Sequence, residues 1–318
     1  MKLSNTSIKK LVKGACYFEE RNGYLYPYHY TKEQIEYFSR FDFWDIRARL
    51  FAGGKIEFLT DATEISIKVL HSCFCSCHST LDLYVNDVCH SIAYLKNCGG
   101  SVVDYALPQG KKKVSIYFPI DSEIGIKDLI FNGYCKTVKE KQKRVLAIGD
   151  SITQGYGAVW AGASYINVFS RLYGCEVLNQ AIGGYRFDEG GVQRIEGYDP
   201  DKIIVALGTN YYNDLSSYDY ETETIKFFAK LNNVFPDKKI VVITPVWRND
   251  SVDWDRFNWC IDVIRSCCKR YENVMTINGF DLIPNVNECY LEDKVHPNAY
   301  GMLLMGTNLY EQVKNLKF

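Results

Sequence analysis

Four stretches of the chain hold the residue types that a hydrolytic site needs. Gly149-Asp150-Ser151 ends the apolar run Val145 to Ile148. A second stretch, Asn179 to Gly184, ends in two glycines, and Gly208-Thr209-Asn210 closes a third apolar run. Near the C-terminus Asp293 and His296 stand three residues apart in "EDKVHPNAYG". Serine hydrolysis requires a nucleophile, a base, an acid to orient the base, and donors for an oxyanion. Each required type stands in one of these stretches. Taken singly they admit other readings: Ser151 as a helix cap, Asn210 as a turn residue, His296 as a surface histidine. A phosphate-binding loop is disfavoured, because no Gly-Lys-Ser/Thr follows the glycines.

The elements that must position these residues change rhythm along the chain. After a short helix around "TKEQIEYFSR", where Thr31 and Gln34 fit a capping box, the first half alternates at period two. The segments are "DIRARLFAG", "KIEFLTD", "EISIKVL", "LDLYVND", "HSIAYL", "KKVSIYFP" and "EIGIKDLIF", separated by turn residues. That pattern predicts an antiparallel sandwich or jelly roll. In the second half, short apolar strands ("RVLAIGD", "CEVLNQ", "KIIVALG", "KIVVITP", "NVMTING") alternate with helical stretches. This predicts an α/β unit, a parallel sheet covered by helices. The charged stretch Lys136 to Arg144 reads as the linker, giving domains 1–140 and 141–318. The candidate residues then fall at the carboxyl ends of parallel strands, where open sheets gather their ligands.

Composition narrows the classes. The chain has 318 residues, 47% of them hydrophobic, and a formal net charge of -1. Nothing in that balance favours nucleic acid or an anionic membrane as partner. No apolar run reaches the roughly 18 residues of a spanning helix. The first residues carry lysines and no apolar core of a secretory signal. Twelve cysteines without a small-domain pattern then read as reduced thiols, and the expected location is cytoplasmic. The segment His71 to Ser79 invites a zinc reading through Cys73, Cys75 and Cys77. On a strand, however, alternate cysteines share one face, where small apolar residues also belong. No Cys-x-x-Cys pair appears elsewhere, so no metal and no cofactor is expected.

The four stretches resemble the blocks of the SGNH, or GDSL-like, hydrolases: Gly-Asp-Ser, the block-two glycine, Gly-x-Asn and Asp-x-x-His. The resemblance spans roughly residues 144 to 316. With a β-rich first half, the chain is most similar to two-domain carbohydrate esterases such as carbohydrate esterase family 2. It implies a flavodoxin-like hydrolase domain behind a β-sandwich. It also implies Ser151 as nucleophile, His296 as base and Asp293 as the acid that orients it. The oxyanion donors would be the Ser151 N–H, the Gly184 N–H and the Asn210 amide, with Gly183 as fallback for Gly184. Asp150 would be structural, and Pro297 would fit the first turn of the last helix. Two departures stand out. The first block continues with Ile152 rather than leucine, and no aspartate directly follows Asn210, so substrate contacts there do not carry over.

Substrate contacts are read from the residues themselves. Tyr156 and Trp247 offer rings for a sugar face, Trp247 because it follows the fourth strand, and Arg248 lies beside it. The loops after the strands are polar and aromatic rather than apolar. The expected activity is therefore removal of short acyl groups, acetyl above all, from carbohydrate, with imported oligosaccharides as the substrate. A longer-chain lipase or thioesterase is the second reading, and a carbohydrate-binding protein with a vestigial hydrolase domain is the third.

Overall fold

The computed structural model describes all residues except 74–78, 96–97, 140–142 and 317. The chain opens with α1 (Asn5–Lys9), β1 (Val12–Lys13), and the hairpin β2 (Tyr17–Arg21) and β3 (Tyr24–Tyr28). Two short helices follow, α2 (Lys32–Phe38) and α3 (Asp42–Ala48). Then come β4 (Lys55–Thr60), β5 (Glu64–Cys73), β6 (Thr80–Val85) and β7 (Val88–Tyr94). The half ends with β8 (Gly99–Ala106), β9 (Lys112–Tyr117), β10 (Ser122–Phe131) and β11 (Lys136–Thr137). These strands make two antiparallel sheets. One is ordered β1-β4-β9-β6-β7 with β11 beside β4, the other β2-β3-β10-β5-β8. Alternate residues of the two sheets, among them Phe58, Ile67, Leu83, Ile116 and Ile126, fill the layer between them.

The second half is α/β, as its rhythm predicts. Strands β12 (Arg144–Gly149), β13 (Glu176–Ala181), β14 (Lys202–Ala206), β15 (Lys239–Ile243) and β16 (Val274–Ile277) form one parallel sheet. Its order is β13-β12-β14-β15-β16. That is the doubly wound order with a switch point between the first and third strands. The register brings Gly149, Ala181 and Ala206 level, so the loops after these strands open at one height. Successive residues of β12 face opposite layers, Leu146 and Ile148 one way, Val145 and Ala147 the other. One layer holds α6 (Ser217–Val234) and α7 (Trp254–Cys268); the other holds α5 (Tyr165–Tyr173) and α8 (Ala299–Asn315). Between β12 and α5 lies α4 (Ser151–Gln154). Among the described residues no helix is long and apolar enough to cross a membrane.

Two local expectations need correction. The capping box at Thr31 is present and starts α2, but "DIRARLFAG" is not a strand. Its first four residues end α3. Trp44 and Ala48 are buried there, four apart, while Ile46 between them is exposed. The apolar period is thus helical, and Trp44 packs on Phe38 and Tyr185. Pro297 is not in the first turn of α8. The cap of that helix is Asn298, whose side chain accepts from the Gly301 amide, so Pro297 precedes it.

Candidate active site

The loop after β12 turns sharply into α4. Asp150 caps that helix: its Oδ1 accepts from the Ile152 amide at 3.0 Å. The cap is therefore the aspartate, and Ser151 is left as the first helical residue with its hydroxyl turned elsewhere. Ser151 Oγ lies 2.7 Å from His296 Nε2. His296 Nδ1 lies 2.7 Å from Asp293 Oδ2. The other oxygen of Asp293 accepts from the amides of Val295 and His296, at 2.9 and 3.0 Å. Partial burial opposes the charge on Asp293, but those amides and the imidazole outweigh it, and the carboxyl is held below the usual range. A short antiparallel bridge pins the segment: Tyr290 pairs Pro297, and the Leu291 amide donates to the His296 carbonyl at 2.9 Å. The Tyr156 ring meets the imidazole edge-on, 4.6 Å between centroids.

The structure thus brings Ser151, His296 and Asp293 into one hydrogen-bonded row. Gly184, in a left-handed conformation with φ +74°, and Asn210 line the same cavity, of about 340 Å³, as Ser151 and His296. Asn210 Nδ2 donates to the Tyr185 carbonyl at 3.2 Å and reaches Asp150 Oδ2 at 3.4 Å. The Gly183 amide is engaged otherwise, donating to Gln154 Oε1 at 2.7 Å. Asp150 is fully enclosed, and burial pushes its carboxyl up to about 7 against the pull of nearby amides.

Of the residues expected to meet substrate, Tyr156 and Arg248 line the cavity. Arg248 makes a two-pronged ion pair with Asp250, at 2.7 and 2.6 Å, and donates to the Thr209 carbonyl at 2.8 Å. Trp247 is not brought to the cavity. Its ring stacks on Phe280 at 3.8 Å, and its Nε1 donates to the Phe280 carbonyl. Sequence reasoning missed the walls supplied by the first half: Phe43 and Arg47 from α3, and Ile120 and Asp121 from the β9–β10 turn. Among the described residues no three His, Cys, Asp or Glu side chains gather to hold a metal ion. Cys75, Cys77 and His78, and the side chain of Cys73, lie outside the described residues.

Residues 147–304 match the GDSL-like lipase/acylhydrolase family. The chain carries a GDSL-like acylhydrolase domain. It is an ester hydrolase of the esterase type, with an antiparallel β-rich region ahead of that domain. Solved structures share the architecture. A salicylyl-acyltransferase from a tetracycline biosynthetic pathway overlays with TM-score 0.86 at 17% identity, covering 100% of this chain and 97% of that one. A family two carbohydrate esterase from Clostridium thermocellum, in complex with cellohexaose, overlays at 0.67 and 18%, covering 84% and 93%. An acetyl xylan esterase from the rumen bacterium Butyrivibrio proteoclasticus gives 0.62 and 17%, covering 83% and 89%. At such identities the likeness is one of fold. No curated protein matches the chain.

Proposed function

We propose that this acylhydrolase is a serine esterase that removes short acyl groups, acetyl above all, from carbohydrate. The observation that carries the reading is the row Ser151–His296–Asp293 opening on a cavity that Gly184 and Asn210 also line. Ser151 Oγ attacks the ester carbonyl carbon and its proton passes to His296 Nε2. Asp293 accepts from Nδ1–H, which fixes the tautomer and stabilises the imidazolium. The oxyanion is held by the Ser151 amide, which has no acceptor inside its own helix, by the Gly184 amide, and by Asn210. The Asn210 hydrogen that reaches Asp150 makes the longer, weaker contact, so it is the one free to turn to an oxyanion. His296 returns the proton to the departing alkoxide, leaving an acyl-serine. Water then attacks that ester, gives its proton to Nε2, and collapse of the second intermediate restores the Ser151 hydroxyl and releases the carboxylic acid.

The carbohydrate and acetyl parts of the reading rest on the polar side chains that line the cavity, among them Gln154, Thr209, Asn210 and Arg248, and on the fold shared with esterases of those substrates. A reducing, cytoplasmic setting is part of the reading and rests on twelve cysteines without a small-domain spacing. The full-length likeness to an acyltransferase supports a second reading, in which an alcohol replaces water at the acyl-serine. Product analysis with added glycerol separates the two. Ser151→Ala is expected to leave a folded protein with under a hundredth of the wild-type rate on p-nitrophenyl acetate. A fluorophosphonate should label Ser151 once. More than a tenth of the rate remaining, or label on another serine, refutes the assignment.

A further inference from the structure

Two glycines stand side by side in the turn after β13, and a helix from the other half of the chain lies on both. Phe43 and Arg47 are four apart on α3, so they share one face of it. The Arg47 guanidinium stacks on the Phe43 ring at 3.6 Å, and its NH1 donates to the Phe43 carbonyl at 3.2 Å. A Cβ added to Gly183 would lie 2.8 Å from Arg47 Nε, and one added to Gly184 would lie 2.6 Å from Phe43 Cε1. Each side chain therefore rests directly on one glycine backbone. Phe43 is 51% exposed, and it lines the cavity that holds Ser151.

The chemistry assigns sides to that cavity. His296 protonates the leaving alcohol, so the alcohol lies beside His296, Val295 and Tyr156. The carbonyl oxygen points at Gly184 and Asn210. The acyl substituent is then directed away from both His296 and the oxyanion donors, toward the lining that includes Phe43, Arg47, Ile120 and Asp121. We infer that Phe43, propped by Arg47, closes the acyl side of the site and sets the length of acyl chain accepted. The inference rests on the reading of Ser151 as nucleophile and Gly184 as oxyanion donor. It makes the β-rich half a specificity element of the esterase.

The test compares kcat/KM for p-nitrophenyl acetate, butyrate and octanoate in the full-length wild type, Phe43→Ala and Phe43→Leu. Each newly buried methylene is worth roughly fourfold, so Phe43→Ala should raise the butyrate-to-acetate ratio about tenfold. Phe43→Leu should raise it less. The leucine variant decides the matter if the alanine variant does not fold. An unchanged ratio in a folded variant overturns the inference, and so does an equal loss on all three esters, which would make Phe43 a support for the glycine turn. A wild type whose kcat/KM rises from acetate to octanoate also overturns it, while leaving Ser151 as nucleophile. Failure of the nucleophile reading itself shows separately, as activity retained by Ser151→Ala.

Discussion

Asp150 sits one residue before the serine with its carboxyl enclosed, and that burial has a measurable cost. In the folded chain the carboxyl keeps its proton up to about pH 7, whereas an unfolded aspartate loses it near pH 4. Across that window the folded state binds more protons, so the Asp150 contribution is full below the unfolded value and lost as pH rises through the folded one. Asp150→Asn keeps a cap without a titrating group. Denaturation at pH 5 and pH 8 should show the wild type losing on the order of a few kcal/mol relative to the variant. Equal pH dependence in the two proteins would refute this. Asn210→Ala should lower kcat by roughly 10²–10³ with little change in KM; a pure KM effect would make Asn210 a substrate-positioning residue instead. Residues of this kind were legible in the sequence because the chemistry limits them to few types and the strand ends limit where they fall. The reach of Trp247 was not legible, because the stack with Phe280 that holds it aside is a tertiary contact.

Among the elements, α4 carries a tie that motifs do not announce. Gln154 closes this short helix, and its amide accepts from Gly183 at 2.7 Å and donates to the Ile120 carbonyl at 3.3 Å. One buried side chain thereby joins the nucleophile helix, the glycine turn and the β9–β10 turn. Gln154→Leu keeps the volume and strands both backbone groups, a loss of about 2 kcal/mol. It should also lower kcat, because Gly184 follows Gly183 directly. Wild-type Tm and kcat in that variant would show that the tie is dispensable. The parallel strands were readable as doubly buried apolar runs. The hairpin β2–β3 carries a signal of equal quality, Asn22-Gly23 at its turn, both with positive φ. For α3 the local pattern was ambiguous. "DIRARL" alternates as a strand would, and only the burial of Trp44 and Ala48 against the hydrolase half selects the helix.

At the scale of the whole molecule the two rhythms of the sequence do not partition the core. Tyr26, Tyr28, Tyr30, Ile35, Phe38 and Trp44 from the first half pack in one cluster with Leu146, Ile148, Leu178 and Ile182 of the parallel sheet. Below them Gln34 and Gln180 exchange amide bonds at 3.1 and 3.0 Å, and Gln180 also donates to the His29 carbonyl at 2.8 Å. We propose that the domains 1–140 and 141–318 fold as one cooperative unit. Six large side chains at roughly 2 kcal/mol each amount to as much as the 5–15 kcal/mol by which a typical protein is stable. A segment of residues 143–318 alone would also leave Gln180 buried or exposed without its partner, and would lack the Phe43 wall. The intact chain should therefore unfold in a single calorimetric transition whose van't Hoff and calorimetric enthalpies agree. The isolated segment should bind a hydrophobic dye, lack near-ultraviolet dichroism and hydrolyse no p-nitrophenyl acetate. Two resolved transitions in the intact chain, or a cooperatively melting and active 143–318 segment, would establish that the hydrolase half stands by itself and that the shared cluster only docks the two.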